Sequence, residues 1–420
     1  MTYRISEVNS WNGWDPLKQV MLGNVYSPDW FRDIKDTKLK NLIQTLMRET
    51  QEDLDGIQKT MENLGVDVVR VPENTTLKGT DLVKDAGIDS WGKYLQFIHD
   101  EKLEDLKQYW NNGLPKPMIT PRDTFIVLGN QFVQTHVAAG TKALVDNHLL
   151  DPSIVIDEMT HKNRENIWKE KGFPVPGPIR LSKDARQEQH PNWEPGWDDG
   201  EPADYKFFED SYYKQYCYDT WGFWAPMVTR VGDTLIVDIE EQENLAKYVA
   251  QRFPEFKQAR VAIGGHNDGT FCPPKPGLIV SADPDIDFSE TFPGWDVFTI
   301  PDLASIDPEF RKWHDFKDKV DGRWWQPGAE VSDNYVQFVD NWLNKWVGYA
   351  EETVFEVNML SIDPETILCL NKQDEVHDTL KEKGIDPVYT RFRHRKFWDG
   401  GLHCLTVDTV REGTKQNYFT

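Results

Sequence analysis

A short apolar run, a tight turn, a second apolar run, then a helix, a glycine and a strand recur along this chain, and that succession constrains its fold more than any other feature. Thr124-Phe125-Ile126-Val127-Leu128 meets a turn at Gly129-Asn130 and continues through Gln131-Phe132-Val133. Met227 to Val231 turns at Gly232-Asp233 into Thr234 to Val237, and Val357 to Ile362 turns at Asp363-Pro364-Glu365 into Thr366 to Leu370. Gly269-Thr270-Phe271 and Leu278-Ile279-Val280 flank a turn expected over 273–277. Such pairs read as hairpins. Further strands are expected over Val20 to Gly23 and Leu402 to Val410. Between them, Leu39, Leu42, Ile43, Leu46, Met47, Leu54, Ile57 and Met61 keep helical spacing from Lys38 to Leu64, which Gly65 stops before the strand Val66 to Val71. Helices over Asn244 to Phe253 and Asp374 to Lys383 repeat the theme, the second ending at Gly384 before Asp386-Pro387-Val388-Tyr389. Repeated units of this kind predict modules packed around an axis.

The chain has 420 residues, 39% of them hydrophobic and 12% aromatic, which is enough for a large core. Its formal net charge of -23 argues against nucleic acid as a partner, because phosphate binding needs a basic surface. The four cysteines, Cys217, Cys272, Cys369 and Cys404, form no C-x-x-C pair, so neither a zinc ribbon nor a disulfide framework is expected. No metal or organic cofactor is expected. The first residues carry no apolar targeting core and no stretch of about twenty apolar residues occurs, so no membrane association and a cytoplasmic location are expected. We read residues 1–420 as one domain with insertions near 149–201 and 313–329, where Pro, Trp and charge accumulate.

Two separated clusters carry the chemistry. Gly400-Gly401-Leu402-His403-Cys404-Leu405-Thr406 places a cysteine after a glycine pair, and His266-Asn267-Asp268 lies far upstream. A thiol, an imidazole and a carboxylate brought together from distant segments are what nucleophilic catalysis by cysteine requires. Cys404 is the candidate nucleophile and His266, with a side chain that titrates near neutrality, the candidate acid/base. On a strand, Asp268 would share a face with His266, and His403 would face away from Cys404.

These motifs resemble the arginine:glycine amidinotransferase family, which includes inosamine-phosphate amidinotransferases and belongs to the guanidine-modifying superfamily. The resemblance covers nearly the whole chain. Trp14-Asp15-Pro16-Leu17-Lys18-Gln19-Val20-Met21-Leu22-Gly23 is similar to the family's opening strand, and Pro121-Arg122-Asp123 to its P-R-D element. His266-Asn267-Asp268-Gly269-Thr270-Phe271 matches H-x-D-x-T-F, and the segment around Cys404 matches the nucleophile strand. The resemblance implies a five-fold pseudosymmetric α/β propeller with the active site at the mouth of a central channel. It also implies transfer of an amidino group from a guanidino donor, L-arginine, to a primary amine through an S-amidino intermediate on Cys404. Asp123 and Asp268 would bind the guanidinium, with Arg122 beside them, and a homodimer is a common assembly of relatives.

The family's F-D-A-A-D segment corresponds here to Phe223-Trp224-Ala225-Pro226-Met227, so the aspartate that should orient His266 is replaced; Asp219 is a candidate substitute. No arginine follows H-x-D-x-T-F to grip a substrate carboxylate, which leaves Arg393 or Arg395 as candidates. A guanidino-compound hydrolase and a catalytically silent binding protein of the same fold are the alternative readings.

Overall fold

The computed structural model describes residues 3–76, 87–99, 114–135, 141–157, 225–238, 246, 249–250, 252–263, 265–301, 332–343, 346–347, 357–370, 372 and 374–419. Most of the first expected insertion, all of the second and half of the helix expected over 244–253, together with Asp219 and Trp224, lie outside these residues.

The strands pair into five three-stranded sheets. The first joins β1 (Leu17–Leu22) and β2 (Asp67–Arg70) to the last strand, β15 (Thr406–Arg411). The second holds β3 (Phe125–Leu128), β4 (Gln131–Gln134) and β5 (Val155–Asp157). The third holds β6 (Val228–Val231), β7 (Thr234–Asp238) and β8 (Lys257–Val261). The fourth holds β9 (Phe271–Lys275), β10 (Leu278–Ser281) and β11 (Asp296–Thr299), and the fifth β12 (Leu360–Asp363), β13 (Thr366–Leu370) and β14 (Asp386–Thr390).

All five sheets are wired alike. The middle strand runs antiparallel to one neighbour and parallel to the other. The antiparallel neighbours, β3, β6, β9, β12 and β15, are the inner strands; β15 packs on β3 and β12 on β9. This is the five-fold pseudosymmetric α/β propeller that the resemblance implies, and it agrees with the modules around an axis read from the repeats.

Local chemistry explains the wiring. Gly129 and Gly232 close the second and third hairpins at φ +61° and +65°, a region that glycine enters without penalty. A parallel pair needs a long crossover. Between β1 and β2 the crossover is α1 (Thr37–Asn63), which starts where the Asp36 side chain accepts from the amides of Lys38 and Leu39. Ile43, Leu46, Met47, Leu54, Ile57 and Met61 form its buried stripe. A helix over Asp374–Glu382 serves β13 and β14 in the same way. Between β10 and β11 the crossover is irregular, and Phe288, Phe292 and Trp295 supply the apolar cover by packing on one another and on Phe271.

Two expectations are corrected. The fourth hairpin turns at Pro276-Gly277, since β9 extends through Pro273 and Pro274 to Lys275. The last strand begins at Thr406, because residues 402–405 form a turn in which Leu405 N donates to Gly401 O and Thr406 N to His403 O.

The centre of the ring is plugged by charge. Asp408 of β15 accepts from Arg122 Nη2 at 2.7 Å, Arg230 Nη2 at 2.7 Å and Arg411 Nε at 2.6 Å. All four side chains are at most 4% exposed. The remaining arginine donors reach Thr406 O, Val127 O, Ser361 O and Asp15 O. The cluster thus ties strands of the first, second, third and fifth sheets together, and Ser361 Oγ continues the link to Pro274 O in the fourth.

Candidate active site

Each inner strand begins just after a turn or short helix, and the five segments touch in a closed ring. The 3-10 turn Pro121–Asp123 precedes β3, and Ala225–Met227 precedes β6 and packs against it. The short helix Asn267–Thr270 precedes β9, and Asn267 Nδ2 donates to Met227 O at 3.1 Å and Ile236 O at 3.3 Å. Asn358, ahead of β12, donates from Nδ2 to Asp268 O at 3.0 Å. The turn over 402–405, ahead of β15, meets Asn358 on one side; on the other, Arg122 N donates to Cys404 O at 3.3 Å. Cys404, Asp268, Asp123 and Arg122 sit on this ring, and His266 directly precedes its third segment.

Cys404 and Asp268 come together. The Cys404 thiol donates to Asp268 Oδ2 at 3.6 Å, and His403 Nδ1 lies 2.6 Å from that same oxygen. His403 therefore faces the site, contrary to expectation. The alternation argument presumed a strand, whereas a turn lets adjacent side chains converge. Asp268 is also on a helix and not on a strand, with His266 as the residue preceding its first turn.

The electrostatics favour an ionised carboxylate. Burial would raise the Asp268 carboxyl, but the His403 hydrogen bond and charge, with the charges of His266 and Arg122, outweigh it and hold the group at about 2. Burial keeps the His403 imidazole below its ordinary value, with Arg122 adding to the effect, so at neutral pH a neutral ring faces a carboxylate.

The other expected residues are placed as follows. Asp123 closes the P-R-D turn and accepts from Thr120 Oγ1 at 2.7 Å. The Arg122 guanidinium is held by Asp408 and Thr406 O, so it braces the ring. Arg393 is held by Asp53 and Glu52 of α1, which removes it as a ready carboxylate ligand. The Met227 side chain is buried in the apolar core.

Sequence reasoning missed Asn358 and Asp238. Asp238 ends β7 with its side chain fully buried, and its two oxygens accept from Ile263 N at 2.9 Å and Gly265 N at 3.0 Å, fixing the segment that delivers His266. A polar residue ending an otherwise apolar strand was the available signal.

A cavity of about 50 Å³ lies beneath the ring, lined by Asp268, His403, Arg122, Arg230, Cys272 and Ser361 among others. It has room for a few waters and far less than a substrate the size of an amino acid needs. Burial, then the Asp268 charge, pushes the Cys272 thiol up to about 12, so it stays protonated at neutral pH. Among the described residues no group of three or more His, Cys, Asp or Glu could hold a metal ion, and no helix is long and apolar enough to cross a membrane.

No protein-family model matches the chain. Among curated proteins, it is 27% identical to the mitochondrial glycine amidinotransferase of Xenopus laevis over 93 residues, 22% of this chain and 19% of that one. The match therefore spans about a fifth of that relative's length. The chain is 21% identical to inosamine-phosphate amidinotransferase 1 of Streptomyces griseus over 99% of both chains. Among solved structures, an amidinotransferase of saxitoxin biosynthesis from Microseira wollei superposes with a TM-score of 0.53 at 16% identity, covering 98% of this chain and 99% of that one. The Streptomyces griseus enzyme superposes with the same TM-score of 0.53 at 18% identity over 98% and 99%. The chain is thus similar to amidinotransferases in sequence and shares their fold.

Proposed function

We propose that this chain is an amidinotransferase that moves an amidino group from a guanidino donor, L-arginine, to a primary amine through an S-amidino adduct on Cys404. The observation that carries the reading is the carboxylate of Asp268 within 3.6 Å of the Cys404 sulfur, ionised and buried on the ring of turns. A buried carboxylate is a seat for a planar cation, and it places the guanidinium carbon beside the nucleophile. The relatives' names agree with this chemistry.

Chemical steps follow from the placements. The thiol donates to Asp268, and a thiolate next to that carboxylate would be repelled. A bound guanidinium removes the repulsion, and the thiol proton passes to His266 as the thiolate forms. The thiolate forms a bond to the guanidinium carbon. Cleavage of the bond from that carbon to Nε releases ornithine, whose amine takes a proton from His266. The acceptor amine then attacks the same carbon, gives a proton back to the imidazole, and the thiolate leaves. Asp123, on the adjoining turn, supplies a second carboxylate for the cation. Cys404 is 1% exposed, so a substrate reaches its sulfur only when the surroundings of the turn move.

Intact-mass spectrometry after exposure to arginine tests the reading. The protein is expected to gain one amidino group, mapped to Cys404, with release of ornithine. In C404A both signals are expected to vanish; ornithine release undiminished in C404A would refute the proposal. With arginine as sole substrate, formation of citrulline, or of ornithine and urea, in multiple turnovers would identify a hydrolase instead.

A further inference from the structure

We infer that Asn358 is the positioning residue of the Cys404 sulfur, aiming it and stabilising its charged form. The inference builds on the role of Cys404 proposed above, but it rests on contacts that are independent of any substrate. The Asn358 side chain is 3% exposed and makes three hydrogen bonds. Oδ1 accepts from Cys404 N at 3.0 Å, while Nδ2 donates to Cys404 Sγ at 2.9 Å and to Asp268 O at 3.0 Å.

The orientation of this amide is determined by its neighbours. A backbone N–H can only donate and a backbone carbonyl can only accept, so Oδ1 must face Cys404 N and Nδ2 must face Asp268 O. The amide nitrogen is then the atom left facing the sulfur. A donor to sulfur favours thiolate over thiol. The same side chain bonds the segments that carry the nucleophile and the carboxylate, and so fixes their separation.

The glycine pair before Cys404 supplies a second observation. A Cβ on Gly401 would lie 2.7 Å from Asn358 Cβ, 2.8 Å from its carbonyl oxygen and 2.8 Å from Oδ1. Those are contacts that real Cβ atoms do not make, so residue 401 must be glycine for Asn358 to lie where it does. Gly400 is less constrained, with a built Cβ 3.1 Å from Cys404 Cβ and 3.2 Å from Thr120 Cγ2. The Gly-Gly step therefore makes room for the asparagine as well as shaping the turn.

Several charged or titratable groups bear on the same sulfur and set the background for any shift. Asp268 approaches it from the helix over 267–270 and opposes ionisation, and His266 precedes that helix. His403, on the sulfur's own turn, holds Asp268. The P-R-D turn contributes Asp123, held by Thr120, and Arg122, whose guanidinium points to Asp408. Against this background of charges, the neutral Asn358 amide donates a hydrogen bond to Sγ.

The test is the pH profile of Cys404 alkylation in the full chain, followed by peptide mapping with iodoacetamide and with the small cation 2-chloroacetamidine. It needs no turnover. In N358A the midpoint of the profile is expected to rise by about one unit. In N358D, where a carboxylate oxygen replaces the donor, the rise should be larger. G401A, which leaves Asn358 chemically intact but displaces it, should reproduce the N358A shift. Either alanine variant suffices if the other does not fold. Midpoints that stay with wild type in the folded variants overturn the inference, as does a wild-type Cys404 that neither reagent modifies at any pH from about 5 to 10. A shifted profile together with amidino transfer undiminished in C404A would sink the proposed reaction while leaving the Asn358 contact role standing.

Discussion

Asp268 shows how one side chain can be drawn in two directions. Burial opposes its charge, and the imidazole on the same oxygen restores it. A carboxyl depressed to about 2 favours the folded state above the ordinary carboxylate range, and that contribution fades as pH falls through about 2. Across the acid-to-neutral range Asp268 thus stays ionised and able to hold a cation. H403Q removes the group that sustains this, so the Asp268 carboxyl should move up toward its ordinary value. Arginine is then expected to bind more weakly as pH drops from about 6 to 4, a limb absent in wild type. Initial rates across that range would check it; parallel KM profiles for the two proteins would contradict it. Cys404 and Asp268 were legible in the sequence because each lies inside a compact motif. His403 was misread because Leu402 and Leu405 flank Cys404 with the apolar character of a strand, while the segment turns. Asn358 was missed because its meaning depends on two residues distant in the chain.

At the scale of elements, α1 does more than cover the first sheet. Asp53, buried in its middle, accepts from Arg391 Nε at 2.9 Å and from Arg393 N and Nε at 2.7 and 3.0 Å. Thr50 accepts from Trp398 Nε1 at 2.9 Å, and Glu49 pairs with His394 at 2.7 Å. This face anchors residues 391–398, the strap that leads into Gly400. D53N should loosen the strap at a cost of about 1–3 kcal/mol in stability, read as a lower urea midpoint. It should also slow transfer more than it weakens arginine binding, because the strap leads to the sulfur and not to Asp268. An unaltered urea midpoint would show the anchor to be idle. The extent of α1 was legible from its apolar spacing and Gly65. Its anchoring role was not, since Asp53 reads in sequence as an ordinary solvated acid and its partners lie more than 330 positions away.

For the molecule as a whole, one carboxylate balances three guanidinium groups at the axis. D408N keeps the shape and removes the charge, so Arg122, Arg230 and Arg411 would face one another without a counterion. Burial already lowers Arg230 to about 10 even with Asp408 present. The loss should be about 3–5 kcal/mol, enough to unfold the chain or drop its melting temperature sharply, and calorimetry would measure it. Near-wild-type melting would mean that the axis is not a keystone. The recurrence of one unit was legible from the turns, since hairpins are local, whereas the count of five followed only from the family resemblance. The polar plug was not, because Arg122 and Asp408 carry no mark of each other across the chain. The pairing of β1 with β15 has a bearing on biosynthesis. The second strand to be made in the first sheet is not its antiparallel mate, which leaves the ribosome only after the other four modules have emerged. A nascent chain therefore presents an open edge throughout its translation, and a message cut short before Thr406 yields a ring that can neither shut nor carry a nucleophile locked in place.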